Sequence, residues 1–351
     1  FYDCISLEEV NFEENGSLSA IGASAFKNCR SLKSIRIPNG VTKLNAYAFY
    51  NCRSLTKVQL PEGLTHIGYY FYESYGTETL GNDGGFVFAH CENLREINIP
   101  ESTQWIQNYS FLNCKSLTEV ALNAEDKKIG EGAFANCTAL KKVTLSSNVK
   151  TLPSKLFINC TVLDTVTLYG TENGAPVVDL SLITGYGSLS SKRTSFVLGN
   201  STFKNCTAIK EVILNTSALN VLANSLFDGC TNLTYVNKVK TGGTEEAPEY
   251  TSYLPDKLAY LGTYSFRNTS IERVRMPDSL TSLGNSISNA SGTDATKMWK
   301  TGKDGDEYKC NYESLSGAFD GCTKLTYLDL NNVIRIGMLA FRNCPLTEVA
   351  G

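Results

Sequence analysis

Apolar residues return along this chain at one fixed spacing. Phe26, Cys29, Leu32, Ile35 and Ile37 reappear 23 residues later as Phe49, Cys52, Leu55, Val58 and Leu60, which defines the frame F-x-x-C-x-x-L-x-x-V-x-L. The frame occurs twelve times, with phenylalanines at Phe1, Phe26, Phe49, Phe88, Phe111, Phe134, Phe157, Phe203, Phe227, Phe266, Phe319 and Phe341. Eleven of the twelve cysteines keep the slot three residues on; Thr269 fills it once and Cys310 lies outside the frame. A fixed period means stacked units, because no single repeat of this size can bury its own apolar face.

Each repeat predicts the same elements in the same order. The stretch Leu55, Lys57, Val58, Gln59, Leu60 alternates inward and outward, which is strand periodicity. Pro38, Pro61, Pro100 and Pro277 follow that stretch and keep the strand short. A second apolar pair, such as Val41 and Leu44 or Leu64 and Ile67, reads as the returning side of the coil. After it comes Gly22, Asn45, Gly68, Gly130, Pro153, Ala223 or Gly262, and because proline fixes φ near −65° this slot predicts the start of a short helical turn. The residue before the cysteine slot is Asp, Asn, His or Gly in every copy, from Asp3 and Asn28 to Gly321 and Asn343, which predicts left-handed backbone closing that turn.

The frame C-x-x-L-x-x-V-x-L, coupled to I-G-x-x-A-F, resembles the BspA-like, Treponema-type leucine-rich repeats. Ile21, Gly22, Ala25, Phe26, Cys29 and Leu32 carry the match most completely. The resemblance implies an α/β leucine-rich-repeat solenoid, a right-handed coil of about 12 to 13 short-strand repeats with a parallel strand ladder and short helical turns. It further implies a bacterial or protist surface protein, secreted or held at the cell surface, with a role in adhesion. Both ends of the sequence, Phe1 and Gly351, fall inside a repeat, which reads as a single solenoid cut from a longer chain.

Where the phenylalanine step exceeds 23 residues, the surplus is expected to loop out at about 69–86, 169–195, 240–253 and 286–315. Tyr70 and Tyr72 in the first of these, and Trp299 and Tyr308 in the fourth, are candidate contacts, since such side chains give large amphipathic area at low entropic cost. The plainer reading is that these aromatics pin the loops to the solenoid wall. A second candidate surface is the outward side of the ladder, where Arg36, Gln59, Asn98 and Arg275 occupy one row and Tyr235, Arg273 and Tyr327 the neighbouring row. Its charges are mixed, as on an ordinary solvated face.

Composition narrows the function further. With 42% hydrophobic and 19% charged residues and a formal charge of −3, the chain has a large core and no basic stripe, so a nucleic-acid partner is not expected. No apolar run reaches the roughly 18 residues a membrane span requires, so this segment is not expected to insert into a bilayer. The in-frame cysteines would point in parallel into the core, poor geometry for disulfides, and with no C-x-x-C pair they predict neither bridges nor metal. Unpaired thiols suit a reducing compartment, whereas the resemblance points to the cell surface, and burial of the column would reconcile the two. Neither His66 nor His90 sits in a catalytic pattern, and Asp304 and Asp306 lack the EF-hand spacing. The sequons at Asn136, Asn159 and Asn205 arise from the repeat itself. The expectation is therefore a monomeric, non-enzymatic, cofactor-free domain that binds an extracellular protein or glycan. The competing expectation is a spacer that presents other domains.

Overall fold

In the computed structural model the described residues are 1–13, 16–69, 85–122, 128–146, 149–168, 176–183, 188–189, 194–195, 197–283 and 317–351. The strand frame does what its alternation requires: in Lys57–Gln59, Val58 is buried between two exposed polar neighbours. Equal frames one coil apart bring Ile35, Val58 and Ile97 into parallel register. Repetition of that pairing builds a ladder in three runs. Ser34–Arg36, Lys57–Gln59 and Glu96–Ile97 form the first; Glu119–Leu122 through Tyr235–Val236 form the second; Pro248–Tyr253 through Glu348–Ala350 form the third. The second apolar pair forms a separate parallel ladder, from Ala20–Ile21 through Lys43–Asn45, His66–Tyr69 and Trp105–Ile106 to Lys128–Ile129.

Between the ladders the phenylalanine slots make one continuous stack from Phe1 to Phe341. Neighbouring ring centroids lie between 5.0 Å, for Phe111 and Phe134, and 6.1 Å, for Phe134 and Phe157. The rings from Phe49 to Phe319 are fully buried, each contributing on the order of 1.5 to 3 kcal/mol. The cysteine column runs beside them, and from Cys29 to Cys344 each described thiol donates to a backbone carbonyl. Cys52 donates to the carbonyl of Phe26 and Cys137 to that of Phe111, in each case reaching the preceding coil.

The third side of the coil departs from expectation, because the described residues contain no helix. Amides at alternate positions leave the coil: those of Ser24, Phe26 and Asn28 donate to the carbonyls of Ala46, Ala48 and Tyr50 in the next one. The amides between them, of Ala25, Lys27 and Cys29, donate three residues back. A segment whose alternate amides are committed to a neighbour forms successive turns and cannot propagate i→i−4 bonding. At three of its positions the glycine slot has a cause other than the helix start expected of it, whereas a Cβ on Gly22 would meet nothing within 4 Å. A Cβ on Gly130, Gly199 or Gly262 would lie within 2.4, 2.2 and 2.5 Å of the adjacent coil's backbone.

Left-handed backbone appears at every slot before a cysteine position, from Asp3 (φ 58°) to Asn343 (φ 61°). Asparagine contributes more there than tolerance of the conformation. Asn205 Nδ2 donates to Asn159 Oδ1 at 2.8 Å, and Asn159 Nδ2 to Asn136 Oδ1 at 2.7 Å, so these amides form a column along the coil. The same bonds occupy the three sequon asparagines.

Two of the segments expected to loop out hold ladder strands. Val178–Leu180, within 169–195, lies between Thr165–Leu168 and Glu211–Leu214, with Val178 facing both Val166 and Val212. Pro248–Tyr253, within 240–253, pairs with Arg273–Arg275 and is the second arm of a hairpin begun by Lys238–Gly243. Buried Val178, Leu180 and Ser252 explain why: each segment supplies inward side chains to a core position although it lacks the Phe and Cys half of the frame. The phenylalanine stack gains no ring at either place. Two strand intervals span roughly 9 to 10 Å, whereas Phe157 and Phe203 are 5.7 Å apart with planes inclined at 29°. The coils therefore fan apart toward the ladder at that point.

Candidate functional site

The core does not use the outward rows of the first ladder, so these rows are the surface free to bind. At the amino-terminal end Arg36 and Gln59 are in direct register. Gln59 and Asn98 line a shallow trough of about 560 Å³ together with Lys57, Glu96 and Lys142. Arg36 lies outside it, in a hollow with Phe12 and Pro38. The trough's ion pair, Lys57 to Glu96 at 3.1 Å, is about two-thirds exposed on both sides and contributes little to stability.

At the carboxy-terminal end the outward residues converge. Arg273 is in register with Tyr327 and Arg275 with Asp329. The Arg273 guanidinium stacks on the Tyr327 ring at 3.9 Å, and Arg275 holds Asp329 at 3.2 Å while facing Tyr253 at 5.4 Å. Because Pro248–Tyr253 sits between Tyr235–Val236 and Arg273–Arg275, its hairpin adds Tyr250 and Lys238 to the same surface. Lys238 Nζ lies 4.5 Å from the Tyr235 ring and 4.1 Å from the Tyr250 ring, so one ammonium serves two aromatic faces. Tyr235 and Tyr250 meet edge to face at 5.9 Å. Burial, with smaller effects from Glu272, Tyr250 and Glu211, pushes the Tyr235 hydroxyl above its ordinary value, so it stays a neutral donor at physiological pH.

Of the candidate residues, Arg273, Arg275 and Tyr327 are thus gathered on adjacent strands, with Tyr235 on the far side of Pro248–Tyr253. Arg36, Gln59 and Asn98 lie apart from them, at the other end of the ladder. Tyr70, Tyr72, Trp299 and Tyr308 lie outside the described residues, as do Cys310, Asp304 and Asp306. Tyr250, Tyr253 and Lys238 belong to the cluster without having been candidates. Their signal was the pair Lys238–Gly243 and Pro248–Tyr253 on either side of a turn at 244–247, which reads as a hairpin once alternation is sought there.

Two further aromatic groups occupy other faces. Tyr47, Phe86 and Tyr109 stack at 5.2 and 5.3 Å on the turn side, where Lys27 also lies 5.3 to 5.6 Å from Tyr2, Tyr47 and Tyr50. On the second ladder the His66 ring is buried and stacked on Trp105 at 6.1 Å, with Lys128 over the other side chain's ring at 4.1 Å. Among the described residues no three His, Cys, Asp or Glu side chains converge as a metal site would require. No helix there is long and apolar enough to cross a membrane.

A parallel ladder repeated with a phenylalanine and cysteine column defines a leucine-rich-repeat solenoid. Residues 1–82, 77–173, 187–292 and 310–350 match the BspA-type leucine-rich-repeat region, and the chain belongs to that family. Among solved structures it is similar to a leucine-rich cell surface protein of Faecalibacterium prausnitzii, at 18% identity and TM-score 0.50, over 95% of this chain and 83% of that one. It is also similar to the T. pallidum leucine-rich-repeat protein TpLRR, at 27% identity and TM-score 0.41, over 55% and 72% of the two chains. A third similarity is to the pneumococcal vaccine antigen PcpA, at 17% identity and TM-score 0.42, over 76% and 70%. No curated protein matches the chain.

Proposed function

We propose that this chain is a non-catalytic recognition domain of a bacterial surface protein, which binds an extracellular protein or glycan through its first ladder. The observation that carries this reading is the carboxy-terminal cluster. Tyr235, Tyr250, Tyr253 and Tyr327, with Arg273, Arg275 and Lys238, come from five separate strands onto one outward surface although the core does not need them. Tyr and Arg are the residue types that dominate binding energy at recognition surfaces, because they combine large contact area with fixed geometry. The structurally similar F. prausnitzii protein is named a cell surface protein, which supports the same location for this one.

The test is a binding screen of the purified chain against extracellular-matrix proteins and glycans, repeated with Tyr235→Ala combined with Tyr327→Ala. Saturable binding that the double variant loses, with its melting curve unchanged, supports the reading. No binding to any component contradicts it and favours a spacer.

A further inference from the structure

Within the cluster one cation differs from the rest. Arg275 is neutralised by Asp329 at 3.2 Å, and Lys238 is held between two rings. The Arg273 guanidinium has its plane fixed by Tyr327, yet it makes no hydrogen bond among the described residues, and its Nε is buried without a partner. Its ion pair with Glu249 is long, at 4.0 Å, mostly exposed on the carboxylate side and beyond hydrogen-bond range, so it leaves the donors of the fork unused. A guanidinium presents five donors in a fork that matches planar and tetrahedral oxyanions. A buried donor left unpaired costs about 1 to 3 kcal/mol and calls for a cause.

The geometry points to Arg273 as the residue that recognises an oxyanion, either a carboxylate or a sulfate ester, borne by an acidic glycan. This deepens the ladder-face reading and rests on it. The Lys238 ammonium, between Tyr235 and Tyr250, supplies a second positive charge on the same surface. The four tyrosines suit a sugar, because each offers a flat ring to the C–H face of a pyranose and a hydroxyl to its oxygens. Stacking on Tyr327 sets the guanidinium orientation before the ligand arrives, so little order has to be gained on binding.

The experiment is titration of the intact chain with heparin (sulfated), hyaluronan (carboxylated) and dextran (neutral), followed by calorimetry. Binding of heparin or hyaluronan with none of dextran is expected, and which of the two binds identifies the anion. Arg273→Gln should weaken that binding roughly tenfold or more, since hydrogen bonds to charged groups contribute about 1.5 to 3 kcal/mol. Arg273→Lys should fall between, and Lys128→Gln, on the second ladder and away from this surface, should change affinity less than about threefold. Thermal melts of each variant separate lost binding from lost folding. Equal binding of all three polysaccharides, binding of none, or an Arg273→Gln variant that binds as well as the parent would each overturn the inference. If matrix proteins still bind while both acidic polysaccharides fail, the inference falls and the ladder-face reading stands.

Discussion

The thiol of Cys160 donates to the backbone carbonyl of Phe134 at 3.2 Å, one coil earlier in the stack. The same bond recurs from Cys29 to Phe1 and from Cys230 to Phe203, so this column holds its sulfurs as protonated donors. Burial pushes the Cys160 thiol up to about 12, and that of Cys29 up to about 11. The thiolate is the reactive form, so the buried cysteines should be inert while the chain is folded. Titration with an aromatic disulfide reagent at pH 8 should label exposed Cys4 and half-buried Cys344 within minutes. The fully buried members should react only after denaturant is added. Rapid labelling of the whole column in native buffer would contradict this geometry.

The same shifts set a pH dependence. Thiol values raised in the folded chain mean that the unfolded chain releases its protons first as pH rises. The stabilisation is complete below the ordinary thiol value and is lost progressively from there up through about 11 to 12. Melting temperature measured from pH 7 to 11 should therefore hold steady and then fall once pH exceeds about 8.5. A melting temperature that rises across that upper range would exclude this thiol effect.

Asn159 occupies left-handed backbone at φ 61° and bonds to an asparagine on each side. Asn159→Gly keeps the conformation and loses the amide bonds, whereas Asn159→Ala loses both. Alanine should be the costlier change by about 1 kcal/mol or more, as read from urea denaturation midpoints. Equal midpoints for the two variants would mean that the backbone conformation is not under strain.

Val178 distinguishes a ladder strand from a loop. It is fully buried between Val166 and Val212, so Val178→Asp should destabilise the chain by several kcal/mol or prevent folding. A segment looped into solvent would accept the same change, and an unaltered melting temperature would return 169–195 to that status.

The sequence carried the repeat, the first strand ladder and the left-handed slot before each cysteine, because each rests on residue types that recur every coil; it placed the second apolar pair on the returning side without showing that this side forms a ladder of its own. A second left-handed slot was illegible. Glycine fills it only at Gly132 and Gly317; elsewhere it holds residues such as Ser24, Tyr47, Phe86, Tyr109, Lys155 and Leu339, none of which advertises positive φ, and it is imposed by bonding to the next coil. The turn side read as helical for the same reason: local propensity says nothing about amides committed to a neighbouring coil. The two added strands were hidden because they satisfy the ladder without phenylalanine or cysteine. That omission also scattered the candidate site. Tyr235 and Arg273 were visible as row members, but the intervening hairpin that brings Tyr250, Tyr253 and Lys238 beside them was not.

The central claim, recognition through the first ladder, is tested most directly by binding measured with the surface altered and the core left intact. Tyr235→Ala with Tyr327→Ala on the ladder, and Tyr47→Ala with Tyr109→Ala on the turn side, remove equal numbers of tyrosines from two faces. Each pair should be assayed by surface plasmon resonance against whichever matrix protein or glycan the parent chain binds. The account predicts that the ladder pair weakens binding by roughly tenfold or more while the turn-side pair leaves it within about twofold. Loss confined to the turn-side pair would move the site off the ladder and contradict the account.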